Sequence, residues 1–243
     1  MPILVQIVLC VLFGYLIGNI NPSYIIGRMR GFDIRKKGSG NAGASNAVIT
    51  MGKAVGVSSA IFDILKATAA YVFATMIFPD VTFAAEVAGA ACILGHMFPV
   101  VMGFRGGKGL ACVGGVALGM DWRFFLLLLL SVILIAVVTN YICSAPIFAS
   151  IVVPLCYGFF GKEGTGWLLN AKNGWWGAMI LSVAMLTVLF RHTQNIYRIA
   201  TGTEMHFSYL WMKPDAKQAE MARVQNNRAQ LQTRLQAKKE SKS

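Results

Sequence analysis

Three short stretches of this chain gather glycines, cations and amides in a way that suits phosphate. The first is Gly38-Ser39-Gly40-Asn41-Ala42-Gly43-Ala44-Ser45-Asn46. Gly40 and Gly43 let backbone N–H groups turn toward an anion, and a following helix start adds unpaired donors and a positive dipole end. Ser39, Asn41 and Asn46 bring side-chain donors, with Arg35, Lys36 and Lys37 just upstream. The plainer alternative is a turn with an Asn cap. Gly-Lys-Ser/Thr at the required spacing is missing, so this is not a nucleotide P-loop. The second stretch, Phe104-Arg105-Gly106-Gly107-Lys108-Gly109, follows Gly95-His96-Met97-Phe98-Pro99. Arg105 offers a planar fork and Lys108 a point charge beside exposed backbone. Two membrane-boundary cations flanking a glycine turn would read the same way. The third stretch runs from Arg191-His192 through Asn195 and Arg198 to Gly202-Thr203-Glu204. On a helix continuing to a stop at Gly202, Arg191, Asn195 and Arg198 share one stripe, with His192 about 60° from Asn195. A basic helix end on lipid headgroups is the alternative.

Those stretches punctuate a chain that is otherwise unusually apolar. Of 243 residues, 56% are hydrophobic and 13% charged, too few charges to cover a soluble surface. The apolar residues fall in long blocks, as spanning helices of roughly 20 residues require. The reading is all-α: a polytopic membrane helix bundle of about seven transmembrane helices, near 3–20, 54–78, 84–101, 104–120, 124–141, 144–160 and 175–191. The first block lacks a basic leader and a cleavage site, so it reads as a retained helix. The fourth is short. Parity argues that it crosses, because seven spans with the N-terminus outside put 28–53, 104–108 and 191–243 on one face with most of the Lys and Arg. The connections 79–83, 121–123 and 161–173 then lie opposite. Residues 1–212 form the membrane domain, and 213–243 a basic cytoplasmic tail, either a solvated helix or partly disordered.

The net charge of +12 lies beside the spans and in the tail, so it points to orientation and anionic lipid, not nucleic acid. Five scattered cysteines make neither a disulfide framework nor a metal motif. Inside the second span, Asp63 and Lys66 stand at i, i+3 and read as a structural ion pair facing the bundle interior, with substrate contact as the alternative. His96, on an apolar helix, reads as a core histidine bonded to backbone. No Ser-His-Asp triad or His-x4-Asp dyad is visible.

The three stretches, in order and spacing from about residue 8 to 210, resemble the three motifs of the bacterial acyl-phosphate-dependent glycerol-3-phosphate acyltransferases. That resemblance implies transfer of a fatty acyl group from acyl-phosphate to the 1-hydroxyl of glycerol 3-phosphate. The products are lysophosphatidic acid and phosphate, made at the cytoplasmic membrane without metal or cofactor. It implies that His192, Asn195 and Ser39 act catalytically or position the acceptor. Gly40, Asn41, Gly43, Asn46, Arg105, Gly106, Gly107, Lys108, Gly109 and Arg198 bind phosphate, with N–H groups of Gly106 and Gly107 assisting. Asp63, Lys66, Gly202 and Glu204 are structural. The chain departs from the pattern at Ile49, where Arg is usual, and at Asn140 and Cys143, where Arg and Ser are usual. A paralogue with another acceptor, a non-catalytic lipid-binding protein, and an anion or lipid transporter are the competing readings.

Overall fold

The structure, a computed structural model, describes residues 1–161 and 173–240, without the side chains of Leu210, Lys238 and Lys239. The expected outer connection at 161–173, with Lys162 and Lys172, lies almost wholly outside the described residues. Among the described residues the fold is all-α. Its helices are α1 (Ile3–Asn19), α2 (Pro22–Met29), α3 (Ala44–Met51), α4 (Lys53–Ile77), α5 (Ala84–Met97), α6 (Leu110–Met120), α7 (Trp122–Thr139), α8 (Ser144–Phe160), α9 (Gly174–Phe190), α10 (Thr193–Ala200) and α11 (Pro214–Glu240).

Four helical stretches are long and apolar enough to cross a bilayer: Lys53–Ile77, Ala84–Met102, Trp122–Thr139 and Gly174–Ala200. Helices α1 and α2 qualify together as a fifth, bent by 42° where Asn21 caps α2 and Pro22 begins it. Helices α6 and α8 are shorter apolar helices. The expected span at 104–120 contracts to α6, because residues 104–109 are loop. Eleven residues reach only about 16 Å at 1.5 Å per residue. The eighteen residues of α7, returning from Asp121, reach about 27 Å. The loop before α6 fills the difference and carries Lys108, half-buried, two residues ahead of α6. Outward faces carry Leu127, Leu130, Leu134 and Val138, all exposed, which only a lipid solvent tolerates in such density.

Small residues set the packing. A Cβ on Gly14 would lie 2.2 Å from the Ala88 oxygen, one on Gly18 2.2 Å from the Cys92 oxygen, and one on Gly95 2.2 Å from the Tyr15 oxygen. Backbones of α1 and α5 therefore touch, as in other small-residue helix pairs in membranes. That contact brings the last turn of α1 beside Lys66 of α4. The Lys66 ammonium donates to the carbonyls of Gly18 (3.2 Å) and Ile20 (2.5 Å) and lies 2.6 Å from the Asp63 carboxylate. His96 Nδ1 is 3.0 Å from the same ammonium and 3.4 Å from Asp63. All three side chains are buried. The expected Asp63–Lys66 pair exists, and it also caps the end of α1, whose carbonyls have no helical partner. Gly18→Val is expected to lower stability by about 1–3 kcal/mol through overpacking, read as a lower thermal midpoint in detergent. An unchanged midpoint would contradict the close α1–α5 contact.

Candidate active site

The loop after α5 is built on that buried pair. Gly106 N–H donates to the Met97 carbonyl (3.0 Å) and Gly107 N–H to the His96 carbonyl (3.1 Å), closing the end of α5. A Cβ on Gly106 would lie 2.0 Å from the His96 oxygen, and one on Gly107 2.0 Å from His96 Nε2. This corrects the expectation that the Gly106 and Gly107 N–H groups assist a phosphate. Both donors serve α5, and both glycines are there for close approach. Gly109, at φ +92°, turns the chain into α6, whose first N–H groups open beside Lys108. Arg105 is exposed.

The third segment is not one continuous helix. Helix α9 stops at Phe190, a turn spans Arg191 and His192, and α10 resumes at Thr193. Asn195 and Arg198 still face one place. Lys108 Nζ donates to Asn195 Oδ1, and Asn195 Nδ2 donates to Glu204 Oε1 at 2.8 Å. Arg198 Nε donates to Glu204 Oε2 at 2.5 Å. Gly202, at φ +65°, reverses the chain so that Glu204 returns over α10, its N–H bonded to the Arg198 carbonyl at 3.1 Å. His192 is buried, and its Nδ1 lies 2.8 Å from the Val188 carbonyl. A carbonyl only accepts, so Nδ1 carries the proton and Nε2 keeps its lone pair. The Arg191 guanidinium lies 5.6 Å from the Phe98 ring centroid.

The first segment reaches the second by another route. Arg35 is oriented by Asp33 (2.8 Å) and donates to the carbonyls of Met102 (2.5 Å) and Arg105 (3.4 Å). Ile34, Ala42, Ala47 and Met102 form a small buried cluster behind it. Asn46, expected to bind phosphate, is instead the pin of its own loop. Its Nδ2 donates to Ile34, Lys37 and Asn41 carbonyls at 2.8–3.1 Å, and its Oδ1 accepts the Ser39 N–H at 2.8 Å. Neither N–H of the amide remains for an anion. Ser39 and Gly40 are exposed, and Asn41 and Gly43 half-buried. No hydrogen bond among the described residues joins these four to Lys108 or Arg198.

Electrostatics mark Lys108. Burial, with Arg198 close by, lowers its pKa from 10.5 to about 8. Cys143 lies against Glu204 and Lys108, and burial raises its thiol to about 11, so it stays protonated. Asp63, His96 and Cys112 could together offer ligands to a metal, but the Lys66 ammonium already stands 2.6 Å from Asp63.

The segments thus meet at one end of a membrane bundle. A family model described as glycerol-3-phosphate acyltransferase matches residues 8–202. The chain belongs to that family. Among curated relatives, a glycerol-3-phosphate acyltransferase of Brucella anthropi is 37% identical over 193 residues, covering 79% of this chain and 89% of the relative. One of Lactiplantibacillus plantarum is 33% identical over 211 residues, covering 86% and 96%. A crystal structure of PlsY (YgiH), an integral membrane glycerol 3-phosphate acyltransferase, in its glycerol 3-phosphate form aligns with a TM-score of 0.72 at 32% identity. It covers 84% of this chain and 96% of that one. The lysophosphatidic acid form aligns at 0.69 and 31%, covering 82% and 94%.

This acyltransferase is therefore a multi-pass membrane enzyme with the PlsY fold. Its departures from the family pattern now have places. Cys143 lines the site. Asn140, at φ +57°, holds the chain after the third segment: its carbonyl accepts the Phe207 N–H (2.6 Å) and its Oδ1 the Ser208 N–H (2.8 Å). Ile49 is exposed on α3. Sequence reasoning missed Arg35 as a bridge, although its neighbour Asp33 was the available signal.

A lowered Lys108 pKa means the cation is present below about pH 8 and lost above it. Affinity for inorganic phosphate is expected to weaken between pH 7.5 and 9.5 in the wild type. In Lys108→Arg, which stays charged, it is expected to hold. Equal pH dependence in both proteins, measured by calorimetry, would contradict the assignment.

Proposed function

We propose that this acyltransferase moves a fatty acyl group from acyl-phosphate to the 1-hydroxyl of glycerol 3-phosphate. The products are 1-acylglycerol 3-phosphate and inorganic phosphate. The observation that carries the reading is the chain Lys108–Asn195–Glu204–Arg198, which ties two cations into one hydrogen-bonded network just before the first turn of α6. Both proposed substrates carry a phosphate group, and the two forms of the solved relative are named for glycerol 3-phosphate and lysophosphatidic acid.

In the proposed step the 1-hydroxyl oxygen attacks the acyl carbonyl carbon. The bond from that carbon to the phosphate oxygen breaks, and phosphate leaves. The hydroxyl proton passes to the departing phosphate or to His192 Nε2, which the Val188 contact leaves as an acceptor. The donor is already activated, so positioning and charge stabilisation supply most of the rate. Lys108 and Arg198 hold phosphates, and Asn195 is turned by Glu204 to present its oxygen to Lys108. Ser39 and Asn41 act from the adjoining loop. Substrates and membrane lipid are the only partners the reading needs.

The topology proposed with it has seven crossings, including the short α6 and α8, with the N-terminus outside and the site facing the cytoplasm. The two ends of α7 fit this. Asp121, between α6 and α7, lies at the far end from Asn140, which touches the segment after α10. Residues 1–212 form the catalytic membrane domain.

Purified protein is expected to release phosphate from palmitoyl phosphate only when glycerol 3-phosphate is added, with a lipid product. Lys108→Met is expected to slow this by about 10²–10³-fold, the range for removing one transition-state donor. Wild-type rates in that variant would refute the role of Lys108, and no release by the wild type would refute the reaction.

A further inference from the structure

The family match ends at residue 202, yet the chain continues and folds back onto the third segment. Helix α11 lies against the turn that carries Gly202 and Glu204. Arg223 Nη1 donates to the Gly202 carbonyl (2.9 Å) and its Nη2 to the Glu204 carbonyl (2.9 Å). Asn227 Nδ2 donates to the Gly202 carbonyl as well, at 2.8 Å. The Arg223 fork is itself fixed by Glu220, through Nε (2.8 Å) and Nη2 (2.7 Å). Glu220 also accepts the His206 N–H at 3.0 Å, so the same carboxylate ties down the chain after the turn. Glu220 and Val224 are buried. Residues 220, 223, 224 and 227 stand at helical spacing on one face of α11, so the docking is a built surface, not a chance crossing.

The contact bears on chemistry because of what the turn holds. A bidentate guanidinium on two nearby carbonyls fixes both position and direction of the backbone between them. That backbone carries the Glu204 carboxylate, which turns Asn195 and holds Arg198. Asn195 in turn accepts from Lys108. Three links therefore run from the tail to the proposed phosphate-binding cation, and the last residues before the tail helix are pinned by Asn140 as well.

We propose that α11 is a clamp on the acceptor site: Arg223 and Asn227 are positioning residues that hold the 202–204 turn, and through Glu204 they preset Asn195, Arg198 and Lys108 for glycerol 3-phosphate. This rests on the acyl transfer proposed above. The clamp touches the turn and not the reacting atoms, so it acts on acceptor binding more than on the chemical step.

The test is steady-state kinetics on the full chain in detergent, varying glycerol 3-phosphate and palmitoyl phosphate separately. Arg223→Ala, which removes both hydrogen bonds to the turn, is expected to raise KM for glycerol 3-phosphate about tenfold. Both kcat and KM for palmitoyl phosphate should stay within about threefold. Arg223→Lys, which can reach one carbonyl but not two, should recover part of the loss. Asn227→Ala should move KM in the same direction, and Arg228→Ala, exposed on the same helix, should change nothing. An unchanged KM for glycerol 3-phosphate in Arg223→Ala overturns the clamp. So does an equal loss for both substrates with a lowered thermal midpoint, which would mark a folding role only. Absence of turnover in the wild type would instead overturn the reaction itself and the clamp with it, so the two failures are told apart by the wild-type control.

Discussion

Glu204 is the counter-charge on which the site depends. Lys108 and Arg198 crowd one end of the bundle, and partial burial makes their mutual repulsion costly. The Glu204 carboxylate lies between them in the network: one oxygen takes Asn195, which meets Lys108, and the other takes Arg198. That carboxylate holds the two half-buried cations in register. In the proposed acyl transfer, a substrate phosphate adds negative charge beside cations that are already in position, so little reorganisation accompanies binding.

A second constraint lies beneath it. Lys66 ties the end of α1 to Asp63 and His96, and Gly107 rests on the His96 ring. The 104–109 loop therefore sits on a buried ionic platform. Removing one partner of such a group leaves an uncompensated charge, whereas the intact set is satisfied by carbonyls and its own members. The short α6 follows from the same layout. Residues 104–109 are spent in the loop that brings Lys108 to Asn195, so α6 begins only at Leu110 and is too short to span unaided.

The three polar segments were legible in the sequence because glycines, cations and amides stand out against long apolar blocks. The meeting of the second and third was legible too, since Lys108 and Asn195 pair, whereas the first reaches the second only through Arg35 on the Met102 and Arg105 carbonyls. What the segments do in detail was not. That Gly106 and Gly107 cap α5 depends on which carbonyls end that helix, a tertiary fact. Asn46 looked like a free donor because the loop carbonyls that take its amide are brought round it only by the fold. Helices α2 and α3, eight residues each, hide in a stretch rich in polar and glycine residues. The turn at Arg191 and His192 breaks a pattern that reads as continuous, since both residues fit a helix by propensity. The tail read as solvated or partly disordered because an Arg223–Glu220 pair at i, i+3 looks like any surface pair until its carbonyl partners, some twenty residues upstream, are in place.

The claim that Lys108 and Arg198 serve one phosphate pocket is tested most directly by a double-mutant cycle on glycerol 3-phosphate binding, measured by calorimetry without acyl donor. The cycle compares the wild type, Lys108→Met, Arg198→Met and the double variant. Cations sharing one ligand should couple by more than about 1 kcal/mol, so the double variant binds scarcely worse than the weaker single one. Losses that add to within about 0.5 kcal/mol would show two independent sites and contradict the account.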